Sequence, residues 1–277
     1  MDQARVQPYD GMHVWDGVSG SVITFDWNTA GGTSQRNYNG ERTIAYMTEN
    51  NNLISALVSR AHELGGISLL DNSRVESIDL GSNMEHLDLS SWPVLRLSSG
   101  RTLAARLLIG ADGPNSLVRS FAGINSRGWD YDRHGVVATL QLEQSDESHA
   151  WDGQGHIAYQ RFLPTGPAAL LPLPGGHASL VWSTTPTHAA QLKKLSPEDM
   201  AAMINAAFRL SPVDLSYMHT MTHGQSDEFD WREQHTAFER SIVPRKVSSI
   251  QSGSVASFPL RMRHADTYTG ERVALVG

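Results

Sequence analysis

The sequence predicts a mixed α/β (α+β) protein in which an α/β part is joined to a separate antiparallel sheet. Two observations carry this prediction. Residues 107–119, LLIGADGPNSLVR, have the pattern of a buried strand that ends in a glycine-rich turn at the start of a helix, an arrangement in which α/β proteins bind phosphates. Residues 136–183 contain four strand-like segments with no helical pattern between them, which is typical of an antiparallel layer.

The composition is that of a soluble globular protein. The chain has 277 residues, of which 40% are hydrophobic and 18% charged, and its formal net charge is −7. Without a basic block, nucleic acid is a poor candidate partner. There is no cysteine, so disulfides, thiolate nucleophiles and zinc–thiolate sites are excluded. No apolar segment approaches the roughly 18–20 residues that span a bilayer.

The first half of the chain predicts one long helix followed by strands. Apolar residues recur at helical spacing after Thr48, and Gly65 and Gly66 end the pattern. Strands are expected at residues 67–70 and 75–80, and a β-hairpin at 94–97 and 103–109. The second arm of this hairpin leads into the Asp-Gly turn.

The second half predicts the sheet and a helix that covers it. The four strands are expected at residues 136–142, 157–163, 168–173 and 179–183. Ser196, Pro197 and Glu198 form a strong helix start, with a buried stripe that runs from Met200 to Phe208. Residues 219–254 are polar and aperiodic, and we expect loops there, with a short amphipathic piece near Phe238.

Asp112 is the most informative carboxylate, and two interpretations of it stay open from its neighbours alone. It could accept hydrogen bonds from the ribose of a cofactor or bind the cofactor's backbone through water, with Gly110 and Gly113 letting the main chain approach closely. It could equally tie down its own turn, as Asp often does. Arg119 has the same pair of alternatives, as a ligand contact or as a solvated helix residue.

Other possible sites are weaker. His219 and His223 lie four residues apart, as metal ligands on a helix do, but without a third ligand nearby a solvated loop is the favoured interpretation. The sequence also lacks the G-x-S-x-G, P-loop, H-E-x-x-H and G-x-G-x-x-G motifs. We therefore predict no metal site and name no catalytic residue.

Three stretches resemble one family. LLIGADGPNSLVR is similar to the Asp-Gly signature of the flavoprotein aromatic hydroxylases, the para-hydroxybenzoate hydroxylase superfamily. FPLRMRHADTYTGERVALVG resembles the approach to their second flavin motif, which continues as Gly-Asp-Ala-Ala-His. QRFLPTGPAALLPLPGGHASLVWSTTP resembles the substrate sheet of the ubiquinone-biosynthesis monooxygenases. MHVWD, YMTENNNLISAL, GWDYDRHGVVATL and SPEDMAAMINAAF resemble the mitochondrial, eukaryotic branch, and PVDLSYMHT and VPRKV favour a fungal version.

The resemblance implies a partial FAD-binding Rossmann-like domain and an antiparallel-sheet substrate domain, in a chain truncated at both ends. The implied divisions are 1–30 as a substrate-domain edge segment, 43–125 as the outer FAD domain, 126–266 as the substrate sheet and 267–277 as a returning FAD-domain strand. The strand, glycine-rich turn and helix that bind the ADP half of FAD are absent from these residues, and Gly277 is the last before the second-motif aspartate.

The family's roles carry over to particular positions. The resemblance implies that Asp112 and Gly113 lie beside the FAD diphosphate and that Ser116 and Arg119 fix this turn. Asn50 would contact the diphosphate from the first helix, and Gly277 would end the returning strand, with Gly270 and Arg272 before it. A further set would cover the substrate: Arg161, Phe162, Leu171 and Trp182.

The implied activity is hydroxylation of ring carbon five of a polyprenylated hydroxybenzoate through a flavin hydroperoxide. Electrons would come from a ferredoxin and its reductase, within a ubiquinone-biosynthesis complex on the matrix side of the mitochondrial inner membrane. Two alternatives remain, namely an FAD hydroxylase of a soluble phenol and a flavin-free binding or assembly subunit. We expect these 277 residues alone to be inactive.

Overall fold

The computed structural model describes residues 1–26, 43–144, 156–236 and 243–277. The chain divides into two compact units. Unit 1 comprises residues 1–63 and 132–260, and unit 2 comprises residues 64–131 and 261–277. The domain boundaries expected from the family resemblance remain a prediction about the longer protein. The amphipathic piece expected near Phe238 lies outside the described residues.

Strands and helices alternate along only part of the described chain. The strands are β1 (Val6–Tyr9), β2 (Gly11–Asp16), β3 (Val22–Asp26), β4 (Ala45–Thr48), β5 (Val75–Leu80), β6 (Asn83–Met84), β7 (Leu87–Asp88), β8 (Pro93–Leu97), β9 (Thr102–Ala104), β10 (Leu108–Gly110), β11 (Ser126–Leu142), β12 (Ile157–Leu163), β13 (Gly166–Leu173), β14 (His177–Thr184), β15 (Val247–Ile250), β16 (Ala256–Ala265), β17 (Thr269–Gly270) and β18 (Val273–Leu275). The helices are α1 (Asn50–Leu64), α2 (Leu117–Phe121), α3 (Pro186–Leu192), α4 (Pro197–Arg209), α5 (Pro212–Met218) and α6 (Gln225–His235).

Unit 1 is built on the sheet β15-β11-β14-β13-β12-β2-β3, and β16 also pairs with β11. Its strands are antiparallel except that β2 runs parallel to β12. A ribbon of β1 and β4 packs against β13. The antiparallel layer expected from the sequence is confirmed, and β12 has the bounds that the periodicity predicted.

Helix α4 covers one face of this sheet. Ser196 caps it by accepting a hydrogen bond from the Asp199 backbone N–H, so the predicted start is confirmed. Its core side chains are buried together with those of the facing strands. The most completely buried large side chains in this core include Trp182, Phe208, Leu140, Leu180, Met203 and Ile204. Since α4 contacts both β12 and β15, it fixes this face of the sheet as the packed one.

Unit 2 contains a three-stranded antiparallel sheet, β5-β8-β9, and a second sheet in the order β10-β18-β17. Strands β10 and β18 are parallel. The predicted second arm of the hairpin is therefore two strands in different sheets, since β9 pairs with β8 and β10 with β18. Residues 67–70 form no strand, so that prediction was wrong. A small core holds the unit together: Leu95, Leu108, Val118 and Val273.

Candidate functional site

The turn between β10 and α2 is shaped by two glycines. A Cβ atom at Gly110 would lie 2.8 Å from Cβ of Val118 and 3.0 Å from Cδ2 of Leu275. Only glycine therefore lets α2 pack this closely on the two parallel strands. Gly113 has φ +80°, and nothing lies within 4 Å of an added Cβ. Glycine is favoured here because the backbone is left-handed, and not because a side chain would lack space.

Asp112 directs both carboxylate oxygens at the first turn of α2. Oδ1 accepts the Ser116 hydroxyl at 2.6 Å, and Oδ2 accepts the backbone N–H groups of Leu117 at 2.7 Å and Val118 at 3.3 Å. Ser116 Oγ in turn accepts the Arg119 N–H at 2.9 Å. Of the two open interpretations, these contacts are those of an aspartate that ties down its own turn.

The electrostatics of Asp112 agree with these contacts. Partial burial acts to raise the pKa of its carboxyl, but hydrogen bonds from Ser116 and from the backbone N–H groups of the turn outweigh it and lower the pKa below the ordinary value. Asp112 is therefore ionised at neutral pH and stabilises the N-terminal end of α2 by its charge.

A pocket of about 310 Å³ opens beside this turn within unit 2. Five of the six predicted site residues line it together: Asp112, Gly113, Ser116, Arg119 and Gly277. The motif at 110–119 and the returning strand β18 are separated by more than 150 residues in sequence but meet here because β10 and β18 pair in parallel. The pocket also has lining residues that we did not predict: Pro114, Ser126, Arg263, His264, Ala265, Tyr268, Leu275 and Val276.

Arginine side chains supply the positive charge at the pocket. The Arg119 guanidinium donates from Nη1 to the Pro114 carbonyl at 2.9 Å, which holds it across the turn. Arg263, on β16, donates from Nη2 to Oδ1 of Asp130 at 2.6 Å. His264 and Tyr268 form an edge-to-face pair with ring centroids 5.5 Å apart. The sequence signal for this second wall was the RMRHADTY stretch, but nothing in its spacing indicated which side chains would reach the pocket.

Asn50 belongs to unit 1 and is an exposed residue at the start of α1. Its neighbour Asn52 makes the structural contacts, donating to Asp2 O at 3.0 Å and Thr48 Oγ1 at 2.9 Å. Arg272 has φ +55° in the turn between β17 and β18 and lies over the Trp92 ring at 5.2 Å. The expected flavin contacts of Asn50 and Gly277 stay predictions.

The residues expected to cover the substrate lie on different faces of the unit 1 sheet, which corrects that prediction. Arg161 is buried and donates from Nη1 to the carbonyls of Ala207 at 3.0 Å and Leu210 at 2.8 Å, at the end of α4. Trp182 is fully buried in the same packed layer. Side chains alternate along a strand, so Phe162 lies on the opposite face, where it is 46% exposed.

This opposite face of the sheet, which we call the open face, is largely apolar. Register places Val14 beside Ile23 and Met12 beside Phe25. Ile23 and Phe25 are 59% and 45% exposed. Leu171 belongs to the same face, because it pairs with Ser179 while its neighbour Leu170 points into the core.

His219 does not lie in a solvated loop, contrary to our expectation. Its ring stacks on that of His188, with centroids 3.8 Å apart and planes 4° from parallel, and Trp182 lies at 5.8 Å. Burial, and then the nearby His188, lower the pKa of His219 to about 3. Among the described residues no group of three or more His, Asp or Glu side chains could hold a metal ion.

Solved structures with a similar fold include monooxygenases. The chain matches a probable FAD-dependent monooxygenase, pqsL, from Pseudomonas aeruginosa with a TM-score of 0.59 and 16% identity, over 99% of this chain and 62% of that one. It matches p-nitrophenol 4-monooxygenase PnpA from Pseudomonas putida with a TM-score of 0.59 and 15% identity, over 99% and 56%. At these identities the likeness shows the fold alone. It confirms the expected fold class.

Curated proteins of similar sequence include several named "Ubiquinone biosynthesis monooxygenase COQ6, mitochondrial". The protein from Schizosaccharomyces pombe is 35% identical over 291 residues, covering 99% of this chain and 54% of that protein. The one from Saccharomyces cerevisiae is 36% identical over 292 residues, covering 99% and 56%. The chain thus spans about half the length of the curated relatives it matches. The resemblance to the ubiquinone-biosynthesis branch is confirmed.

A family model described as "FAD binding domain" matches residues 27–277. This match covers most of the chain, including both walls of the pocket and the strands of the unit 1 sheet other than β2 and β3. It supports FAD, the cofactor expected from the sequence. The chain belongs to the FAD binding domain family.

Proposed function

We propose that the protein is an FAD-dependent monooxygenase of ubiquinone biosynthesis and that the pocket beside the Asp-Gly turn holds the diphosphate of FAD. The observation that carries the proposal is the convergence of five predicted cofactor residues on one pocket. The names of relatives at 35–36% identity support the reaction. Bound FAD would supply the oxygen-transfer chemistry, since cofactors of this class carry the difficult step.

The chain's own residues would bind and orient the cofactor. Gly113 supplies the left-handed conformation of the turn, and Arg119 lies over the turn as a cation held by the Pro114 carbonyl. Asp112 would act through the turn rather than on the ligand, because both of its oxygens are already bonded to α2. Asn50 and Gly277 complete the proposed set of cofactor contacts.

The open face of the unit 1 sheet would receive the substrate. Its apolar side chains, Phe162, Leu171, Val14 and Ile23 among them, suit a polyprenylated hydroxybenzoate, whose tail is a long hydrocarbon. Such a face can bind the apolar ring and tail by burying their surface. Hydroxylation at ring carbon five is the specific reaction proposed.

The proposed location is the mitochondrion, on the matrix side of the inner membrane. The names of the relatives support the organelle. No helix in the part of the chain that the structure describes is both long and apolar enough to cross a membrane. The association that we propose is peripheral. A ferredoxin with its reductase is the proposed electron donor, and a ubiquinone-biosynthesis complex the proposed assembly.

Expression of the full-length gene in a yeast strain that lacks this hydroxylation tests the function. We expect restored ubiquinone synthesis and respiratory growth, and the purified full-length protein should carry flavin absorbance. A flavin-loaded protein that fails to complement and instead hydroxylates a soluble phenol would favour the first alternative. A full-length protein without flavin would favour the binding or assembly subunit.

A further inference from the structure

The charge of the pocket does not come from the end of α2. This helix has five residues, and the Asp112 carboxylate already accepts hydrogen bonds from the N–H groups of Leu117 and Val118. A second anion at the same N–H groups would meet the negative charge of Asp112. The positive charge that an anionic ligand needs must therefore come from side chains.

Strand β16 places two arginines beside one carboxylate within unit 2. Arg263 Nη2 lies 2.6 Å from Oδ1 of Asp130, and Arg261 Nε lies 3.5 Å from the same oxygen. A single carboxylate cannot neutralise two guanidinium groups, so this group keeps one net positive charge. Arg263 lines the pocket, whereas Arg261 is not among its lining residues.

The Arg263 side chain is held in place but keeps free donors. Its Nη1 donates to the Met262 carbonyl at 2.8 Å and its Nη2 to Asp130. A guanidinium carries five N–H donors in a planar fork, so these two bonds leave others for a ligand. With 42% of the side chain exposed, the remaining donors can meet a ligand without a change of rotamer.

We propose that Arg263 binds the diphosphate group of the ligand in this pocket, anchored from behind by Asp130. The inference rests on the proposed FAD function and names the residue that supplies the cation. Arg119, which also lines the pocket and donates to the Pro114 carbonyl, is the second cation. Planar guanidinium groups match the oxygen atoms of phosphate in pairs, so Arg263 sets both affinity and register.

The test is calorimetric titration of the 277-residue chain with sodium pyrophosphate, a probe of the diphosphate chemistry alone. We expect Arg263→Gln to weaken binding roughly tenfold, the effect of losing a charge-assisted hydrogen bond. Arg261→Gln is the matched control, because it removes an arginine from the same strand and the same carboxylate. It should change the affinity less than about twofold. Arg263→Lys should recover only part of the affinity, since a lysine keeps the charge but not the fork.

Two results would overturn the proposal. One is an equal loss in Arg263→Gln and Arg261→Gln, which would make the effect one of net charge. The other is the absence of pyrophosphate binding to a wild-type chain whose circular dichroism spectrum is that of a folded protein. The flavin content of full-length wild-type protein is measured in parallel. If the full-length wild-type protein contains no flavin, the proposed function is contradicted, whereas the pyrophosphate result reports on Arg263 alone.

Discussion

At the scale of single residues, Asp112 serves the fold of its turn. Its oxygens join the end of β10 to the start of α2 through Ser116, Leu117 and Val118. The carboxylate is largely exposed, so it is the geometry of three hydrogen bonds, rather than burial, that gives it a role. The position of Gly113 and Arg119 at the pocket therefore depends on a side chain that need not touch a ligand.

Replacing Asp112 should loosen unit 2. We expect Asp112→Ala to lower the free energy of unfolding by about 1 kcal/mol, the usual cost of losing a helix-capping side chain. Urea unfolding, followed by circular dichroism, measures the change. Asn115→Ala is the matched control, since Asn115 is an exposed residue of the same turn. Equal effects of the two substitutions would contradict the role assigned to Asp112.

His219 makes the stability of unit 1 depend on pH. In the unfolded chain its imidazole takes up a proton near pH 6.5, whereas in the folded chain burial and His188 keep it neutral down to about pH 3. Its contribution to stability is present above the unfolded pKa and is lost as the pH falls from about 6.5 towards 3. The loss for one such proton approaches 1.4 kcal/mol per pH unit.

We expect His219→Phe to flatten this dependence, because phenylalanine keeps a ring in the stack and does not titrate. The urea midpoints at pH 7.5 and pH 5 give the comparison. His223→Gln is the control, since His223 is exposed and bonds to Thr222. If both variants retain the wild-type pH dependence, another group is responsible.

At the scale of elements, the end of α4 is fixed by a buried arginine on the strand beneath it. Arg161 supplies donors to the Ala207 and Leu210 carbonyls, which have no partner within a helix that ends there. Arg161→Met keeps most of the volume but removes these donors. We expect a loss of about 2–3 kcal/mol in the free energy of unfolding, because hydrogen bonds from a charged group are strong.

The control for Arg161 is its neighbour Phe162, which lies on the open face. Phe162→Ala should cost less than about 1 kcal/mol in a chemical denaturation experiment, since nearly half of that side chain is already exposed. Comparable losses in the two variants would mean that the packed and open faces are wrongly assigned.

Elements with strong local signals could be predicted, and those set by distant partners could not. Helix α4 was predictable from Ser196, Pro197 and its apolar spacing, and β12 from its periodicity. Helix α6 was missed because it starts at Gly224 without a side-chain cap and is mainly polar. The sequence did not show that β9 and β10 are separate strands, because their separation depends on the pairing of β10 with β18, which lies far along the chain.

The same limit applies to the candidate site. The Asp-Gly turn is local, so Asp112, Gly113, Ser116 and Arg119 could be named from a short stretch. Arg263 reaches the pocket only because β16 brings the end of the chain back into unit 2. The prediction that Arg161 and Phe162 together cover the substrate was wrong, because consecutive side chains of a strand lie on opposite faces. Alternation alone does not tell which of the two faces the helices cover.

At the scale of the whole molecule, several apolar surfaces are exposed. Of the residues of α1, all of which the structure describes, Asn52 alone is buried, while Ile54 and Leu57 are 56% and 60% exposed. In unit 2, Leu107 and Ile109 are each 57% exposed. A 15-residue helix gains little stability without packing. These surfaces therefore suit burial by further protein, consistent with relatives about twice as long as the matched chain.

We expect the 277-residue chain to retain little or no FAD through gel filtration, while full-length protein retains it. The pocket, at about 310 Å³, is near the lower limit for a drug-sized ligand and can enclose only part of a dinucleotide. Flavin absorbance relative to protein absorbance gives the measurement. A 277-residue chain that elutes yellow with stoichiometric flavin would contradict this expectation.

The His188–His219 stack also provides a built-in spectroscopic reporter. The two imidazole centroids lie 3.8 Å apart, and the His219 ring also lies 5.8 Å from that of Trp182, so the ring currents of these neighbours should displace the carbon-bound proton resonances of both histidines upfield. Two histidine signals separated from the other ten in a proton NMR spectrum would then follow the assembly of the helical layer, without any label or added chromophore.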